Sequence, residues 1–257
     1  MTTSTGSRYA AHTDIGRVSA QNEDSFAVGD FYWMVADGMG GHQAGEVASR
    51  LAVEAAVNRV ERGPHPGQSL VELVESAFSD ALDLLQRAAD GDEVTSDMGT
   101  TLILAVQEDD EVVIGHVGDS RAYVLGARGG DGGGHDRGDH QALTQVTRDH
   151  NVAEEMLALG MITAAEAQHH PGQYQLTRAL TGTGAADTTV TLTRLPATGR
   201  LLLCSDGLNG ELTDDEIAEW LGTGTPAEAA RSLVELALDK GGRDNITVVV
   251  VDLGVSG

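Results

Sequence analysis

Four aspartates stand at the edges of the most apolar segments of the chain, each beside or close to a glycine. Asp37 follows "FYWMVA" and opens "DGMGGH", Asp119 follows "VVIGHVG", Asp206 follows "RLLLCS", and Asp244 precedes "NITVVVV". One such Asp is ordinarily a turn former, because its carboxylate accepts hydrogen bonds from the local backbone. Four of them near a core ask for more, since buried acids are costly unless something positive compensates them. Carboxylates and carbonyls without a Cys or His set suit hard divalent ions, Mg²⁺ or Mn²⁺, better than a structural zinc. Gly38, next to Asp37, leaves its own carbonyl open and lets a ligand approach the backbone.

Two further acids, Glu23 and Asp24 in "QNEDSF", precede a strand-like start and by themselves read as a polar turn sooner than as ligands. Arg17 is the nearest upstream cation and is suited to a bidentate contact with a phosphate drawn in by metals. His42 closes the "DGMGGH" turn, either as a proton donor or as a support for the turn and the helix after it.

The elements that must position these residues are legible in the pattern. Residues 31–36, 101–106, 112–117, 121–125, 200–204 and 246–252 have the length and composition of strands. Helical spacing runs over 46–60, blurred by alanines, and more sharply over 69–88. A third helix opens at "TPAE", with Thr225 as N-cap, Pro226 at the first position and Glu228 closing the capping box, and stops at Lys240-Gly241-Gly242. Thr213 with Glu216 and Thr163 with Glu166 repeat the box for two shorter helices. Strands and helices do not alternate strictly, which favours an α+β arrangement of antiparallel sheets with helices outside over a doubly wound parallel sheet. The glycine-dense stretch 126–141 reads as a mobile loop whose Asp131, His135, Asp136, Asp139 and His140 could hold a metal only opportunistically.

Composition narrows the partners. The 257 residues carry 16 Lys and Arg against 40 Asp and Glu, a formal charge of -24, which weighs against nucleic acid or an anionic membrane surface. Forty per cent of the residues are hydrophobic and 22% charged, the balance of a chain that folds. Lys240 is the sole lysine. Cys204 has no second cysteine to pair with and reads as a buried strand residue, in keeping with a reducing compartment. The opening "MTTSTGSRYA" lacks the apolar core of a signal peptide and no run is long enough to span a bilayer, so a soluble cytoplasmic protein is expected.

In their order, "TDIGRVSAQNEDSF", "VADGMGGHQAGEVAS", "DMGTTL", "VIGHVGDSRAYVL", "LTQVTRDH", "LTRALTG", "LLLCSDGLNGELTDDEI" and "GGRDNITVVVV" resemble the protein phosphatase 2C (PP2C, PPM) family of metal-dependent serine/threonine phosphatases, in its bacterial branch. The resemblance implies a central β-sandwich of two antiparallel sheets flanked by helices. One domain would cover 8–253, with a flap at about 147–185, and 1–7 would be a flexible N-terminal segment. It implies that Asp37 bridges two Mn²⁺ or Mg²⁺ ions, that the Gly38 carbonyl binds one, and that Asp206 and Asp244 bind the other. Asp119 and Asp206 would hold a weaker third ion, and Glu23 and Asp24 would act near the second metal largely through bound water.

The implied reaction is hydrolysis of phosphoserine or phosphothreonine in proteins, with a serine/threonine kinase as functional counterpart. Ser19 stands where the family usually has a phosphate-binding arginine, and Arg17, on the same side of an extended segment, is expected to substitute in part. Met39 stands where many eukaryotic members have a histidine, and the flap lacks the Arg-Asn pair frequent after "HP". A phosphoprotein-binding module with weak turnover and a phosphatase for small phosphoesters are the rival functions.

Overall fold

The computed structural model describes residues 8–40, 44–90, 97–126, 142–183 and 186–254. The expectations for residues 1–7, for His42 and for nearly all of the glycine-dense stretch fall outside those residues.

Two antiparallel sheets pack face to face. The first has the order β1 (Tyr9–Asp14), β12 (Ile246–Leu253), β11 (Gly199–Cys204), β7 (Arg121–Leu125), β8 (Leu143–Gln145). The second runs β10 (Thr191–Pro196), β6 (Glu111–Val117), β5 (Leu102–Glu108), β3 (Tyr32–Met39), β4 (Gly99–Thr100), β9 (Leu180–Thr181), with β2 (Asp24–Val28) paired to β3. The central strands read as continuous apolar runs because both of their faces are covered. Alternation along β3 sends Trp33 and Val35 into the layer between the sheets and Met34 and Ala36 towards helices. In β12, Val249 and Val251 go inward while Val248 and Val250 go outward.

Helices close both outer faces. α1 (Ala44–Glu61) and α2 (Leu70–Ala89) cover the second sheet through Ala48, Ala52, Ala56, Val74, Phe78 and Leu85. The alanines that blur the periodicity of α1 are the residues that let it lie close to β3. α6 (Asp214–Leu221) and α7 (Pro226–Lys240) cover the first sheet through Ile217, Leu233, Val234 and Ala237. Capping boxes form at Thr213, Thr225 and Thr163, and at Ser69 as well. Cys204 is fully buried on the α7 side of β11, and burial pushes its thiol up to about 12, out of reach of nucleophilic use.

A small excursion carries α3 (Val152–Ala158), α4 (Ala164–Ala167) and a 3-10 turn, Pro171–Tyr174. Its base is closed where Asn151 bridges Leu176, Val152 N–H donates to the Gln175 carbonyl (3.0 Å) and Thr177 N–H donates to the His150 carbonyl (2.9 Å). This is the expected flap. No helix among the described residues is long and apolar enough to cross a membrane.

Candidate metal centre

The acids converge at one edge of the sandwich because four separate elements start or stop there. Register in the β2–β3 ladder sets Asp24 directly opposite Asp37, so both side chains leave the same face. Asp206 opens the one-turn helix α5 (Asp206–Asn209) immediately after β11. Asp244 sits just ahead of β12, and Asp119 lies in the tight link between β6 and β7. Asp119 is buried, Asp24, Asp37 and Asp206 are half-buried, and Asp244 is exposed, as expected for a recess that opens outward at its Asp244 side.

Their titration reflects that company. Burial raises Asp37 well above the usual carboxylate range, and the charges of Asp24, Asp206, Asp119 and Asp244 add to it. Asp119 is likewise raised by burial, then by Asp206 and Asp149. Asp24 is pushed up to about 7 by burial, against hydrogen bonds from Thr247 and Ser205 that favour its anion. Asp206 rises to about 6, through burial and then the charge of Asp244. Glu23 is raised by burial, Asp244 and Glu46. Asp37 is perturbed by four of the other acids, and Asp206 or Asp244 recurs among the causes for the rest, as in a shared site.

The Arg121 guanidinium relieves this charge only in part, acting on Asp119 and Asp206 against the larger effect of burial. Arg121 is committed to Asp149 through a bidentate pair, Nε to Oδ1 at 2.9 Å and Nη2 to Oδ2 at 2.8 Å. Asp24 Oδ1 is buried without any hydrogen-bond partner. Unpaired buried carboxylate oxygens beside other acids are the donor set of a hard divalent cation. Among the described residues no three acid, imidazole or thiol groups close on a common point.

Neutral residues hold the acids in place. The Asp37 N–H donates to Thr101 Oγ1 (2.9 Å), the Asp37 carbonyl accepts Thr101 N–H and Thr100 Oγ1 (both 2.9 Å), and Thr101 Oγ1 meets Ser120 Oγ at 2.7 Å. Ser205 precedes α5 as its N-cap yet makes no capping bond, because its hydroxyl donates to Asp24 Oδ2 (2.7 Å) and accepts Thr247 N–H (3.0 Å). Asn245 Oδ1 accepts the Glu23 N–H (2.7 Å), and its Nδ2 donates to the Ile15 and Gln21 carbonyls (2.8 and 2.9 Å). One side chain thus pins the loop before β2 to the strand that follows Asp244. A Cβ at Gly38 would fall 2.0 Å from the Gly45 carbonyl oxygen and 2.7 Å from that of Glu23, so close approach of α1 requires glycine there.

Seven of the eight expected site residues, Glu23, Asp24, Asp37, Gly38, Asp119, Asp206 and Asp244, meet at this edge. Arg17 does not reach it. Its Nε donates to the Leu238 carbonyl (2.7 Å) and its Nη2 pairs with Asp239 (3.4 Å), so the guanidinium neutralises the C-terminal end of α7. The positive φ of Gly16, +80°, turns the chain just before it, and the bend at Arg17 and Val18 removes the extended geometry on which the expectation rested. Ser19 is the residue on the acid side, with Oγ 3.5 Å from Asp244 Oδ1. The supporting residues Thr101 and Ser205 escaped sequence reasoning because hydroxyls carry no spacing signal, and Asn245 was visible only as the neighbour of Asp244.

Comparison with known proteins fits this arrangement. The family described as protein phosphatase 2C matches residues 16–237. The chain is 39% identical over 246 residues to the serine/threonine protein phosphatase PstP of Mycobacterium tuberculosis, covering 96% of this chain and 45% of that protein. It therefore spans about half the length of that relative. It is 32% identical over 248 residues to the serine/threonine phosphatase stp of Listeria monocytogenes, covering 93% of each. A crystal structure of the Mycobacterium tuberculosis PstP/Ppp phosphatase superposes with a TM-score of 0.84 at 38% identity, over 95% of this chain and 97% of that one. The catalytic domain of PstP solved with two manganese ions superposes at 0.81, with 37% identity and the same coverage. On sequence, topology and the gathered acids alike, the chain belongs to the protein phosphatase 2C family.

Proposed function

We propose that this protein hydrolyses phosphoserine and phosphothreonine in proteins with the help of bound divalent cations, and so reverses the work of a serine/threonine kinase. The observation that carries the reading is the acid cluster itself: five carboxylates raised by burial and by neighbouring acids, with an orphaned oxygen on Asp24. The two manganese ions of the PstP catalytic domain support it from outside. Residues 8–253 form the catalytic unit in this reading, with 147–185 as its flap and a cytoplasmic setting.

Asp37, the Gly38 carbonyl, Asp206 and Asp244 would hold two central ions, Mn²⁺ or Mg²⁺, with Glu23 and Asp24 acting through water at one of them. Asp119 and Asp206 would hold a weaker third. Such ions supply a lowered pKa for their water and a clamp on the phosphoryl oxygens. The chain's own contribution is placement. Thr100 and Thr101 fix the Asp37 backbone, Ser205 aims Asp24, and Asn245 keeps Glu23 beside Asp244. Asp37 and Asp206, both raised by burial among other acids, must be deprotonated to serve as ligands.

The direct test is phosphate release from a phosphothreonine peptide with Mn²⁺ and then with chelator, alongside a small aryl phosphate. Release that depends on Mn²⁺ and favours the peptide is expected. Absence of Mn²⁺-dependent release by folded protein would overturn the assignment, and equal turnover of the small ester would point to the small-phosphoester rival.

A further inference from the structure

His150 lies at the base of the flap, just ahead of α3, and it grips the turn that carries Asp119. Its backbone N–H donates to the Gly118 carbonyl (2.9 Å), and its ring Nδ1 accepts the Gly118 N–H (3.1 Å), so one residue satisfies both polar groups of Gly118. Gly118 has φ +108°, and a Cβ there would lie 2.5 Å from Thr101 Cγ2. The turn is therefore confined between His150 and the threonine that holds Asp37. On its other side, the His150 carbonyl accepts the Thr177 N–H that closes the flap (2.9 Å), and Nε2 lies 3.0 Å from Thr191 Oγ1. The ring stacks on buried His116 with centroids 4.5 Å apart.

These contacts select a tautomer. A ring that accepts at Nδ1 carries its proton on Nε2, which then donates to Thr191 Oγ1. Arg178 Nη1 lies 3.3 Å from both Nε2 and Thr191 Oγ1, and it too donates to the threonine. A doubly protonated ring would lose the Gly118 bond and face a guanidinium. Burial and Arg178 together keep the ring neutral.

We propose that His150 is a positioning residue: as the Nε2–H tautomer it fixes the Gly118–Asp119 turn and joins it to the base of the flap, so that the cation affinity of Asp119 follows the flap's position. The proposal rests on the reading above that Asp119 and Asp206 hold a weaker ion.

His150→Asn keeps an acceptor close to the Nδ1 position, whereas His150→Gln reaches towards Thr191 and leaves Gly118 N–H without its partner. In Mn²⁺ titration of the folded proteins, His150→Gln should weaken the weakest site about three- to tenfold, the worth of one hydrogen bond. His150→Asn should stay within about twofold of the native protein on the same scale, and the tighter sites should not move. Ring ¹⁵N spectra of the native protein should show a protonated Nε2 and a bare Nδ1, and Gly118 amide exchange should quicken in His150→Gln. A protonated Nδ1, or Gln and Asn variants that affect the weak site equally, would overturn the proposal even if neither variant lost activity. If the variants fail to fold, the native ring spectrum still decides the tautomer, and Thr191→Val, which removes the β10 hydroxyl that meets both Nε2 and Arg178, should weaken the same site. An Asp119→Asn protein that retains every Mn²⁺ site would instead overturn the reading of Asp119, with the ring spectrum unaffected, so the two failures are distinguishable.

Discussion

Asp24 lies directly opposite Asp37 across the β2–β3 ladder, and the register allows neither carboxylate to turn to the other face. Like charges so placed repel, and a strand slip that separated them would move Trp33 and Val35 out of the core between the sheets. The hydrophobic pattern therefore enforces an electrostatic conflict, which protons relieve in the metal-free protein and cations relieve otherwise.

Stability of the chelated protein should accordingly fall as pH rises. The unfolded Asp value is near 3.8, while folded Asp24 titrates at about 7 and folded Asp206 at about 6. Raised folded values mean that the stabilising protons are fully held below about pH 4 and lost as pH climbs through 6 to 7. Buried His116 and His150, lowered by burial to about 3 and about 4, act in the opposite sense below about 6.5. The comparison to make is thus native against Asp24→Asn, in which the histidines cancel. Without metal at pH 8 the variant should be more stable by roughly 1–3 kcal/mol, with the difference vanishing near pH 4 in urea titrations. A difference independent of pH would contradict the shared-proton account.

Asp37 and Asp119 should separate in metal titrations. Asp37 is at the centre of the cluster, perturbed by four other acids, whereas Asp119 approaches it through Asp206 and Asp149. Asp37→Asn should abolish both tight Mn²⁺ sites and lower kcat by about a thousandfold, the several kcal/mol that metal assistance supplies. Asp119→Asn should lose only the weakest site. Loss of both tight ions from Asp119→Asn would show that the two acids serve one and the same pair.

Arg17 and Ser19 exchange the parts that their residue types suggest. With its guanidinium on the Leu238 carbonyl and Asp239, both exposed, Arg17→Ala should cost at most about 1 kcal/mol of stability. Its KM for a phosphopeptide should stay within about twofold, as for loss of any contact that the substrate does not make. Ser19→Arg, beside Asp244, would place a cation at the open side of the acids and should lower KM about tenfold through a charge-assisted bond to phosphate. A large rise in KM for Arg17→Ala would return the phosphate contact to that residue.

Apolar runs buried on both faces and capping boxes announced the central strands and the helices, because burial and capping leave periodic or fixed-offset signals. β1, β2 and β10 were not announced. They carry polar residues such as His12, Ser25 and Arg194 and take their strand form from pairing with β12, β3 and β6. The acids were visible from their positions beside glycines at strand ends. Arg17 was misplaced because the direction of a side chain next to a positive-φ glycine depends on tertiary contacts with Gly242 and α7. Asn245 was visible only as a neighbour of Asp244, since nothing in "RDNIT" reveals that its amide spans back to residues 15–23.

That amide supplies the last prediction. Asn245 is buried and spends three polar contacts on backbone groups of another segment, the Glu23 N–H and the Ile15 and Gln21 carbonyls. Asn245→Asp keeps an acceptor for Glu23 N–H but cannot donate to the two carbonyls, and it adds a charge next to Asp244. Asn245→Ala loses all three contacts without adding charge. Each unmet buried group costs about 1–3 kcal/mol; water entering from the Glu23 side should cover part of this, leaving a loss of roughly 2–4 kcal/mol for the alanine protein in urea titrations. Because the loop 15–23 carries Ser19 and Glu23, both variants should also weaken Mn²⁺ binding, but in different ways. The aspartate variant should recover stability when Mn²⁺ is added, since a cation offsets its new charge, and the alanine variant should recover less. Equal recovery in both would mean that Asn245 acts only as core packing and has no part in holding Glu23 to the acid cluster.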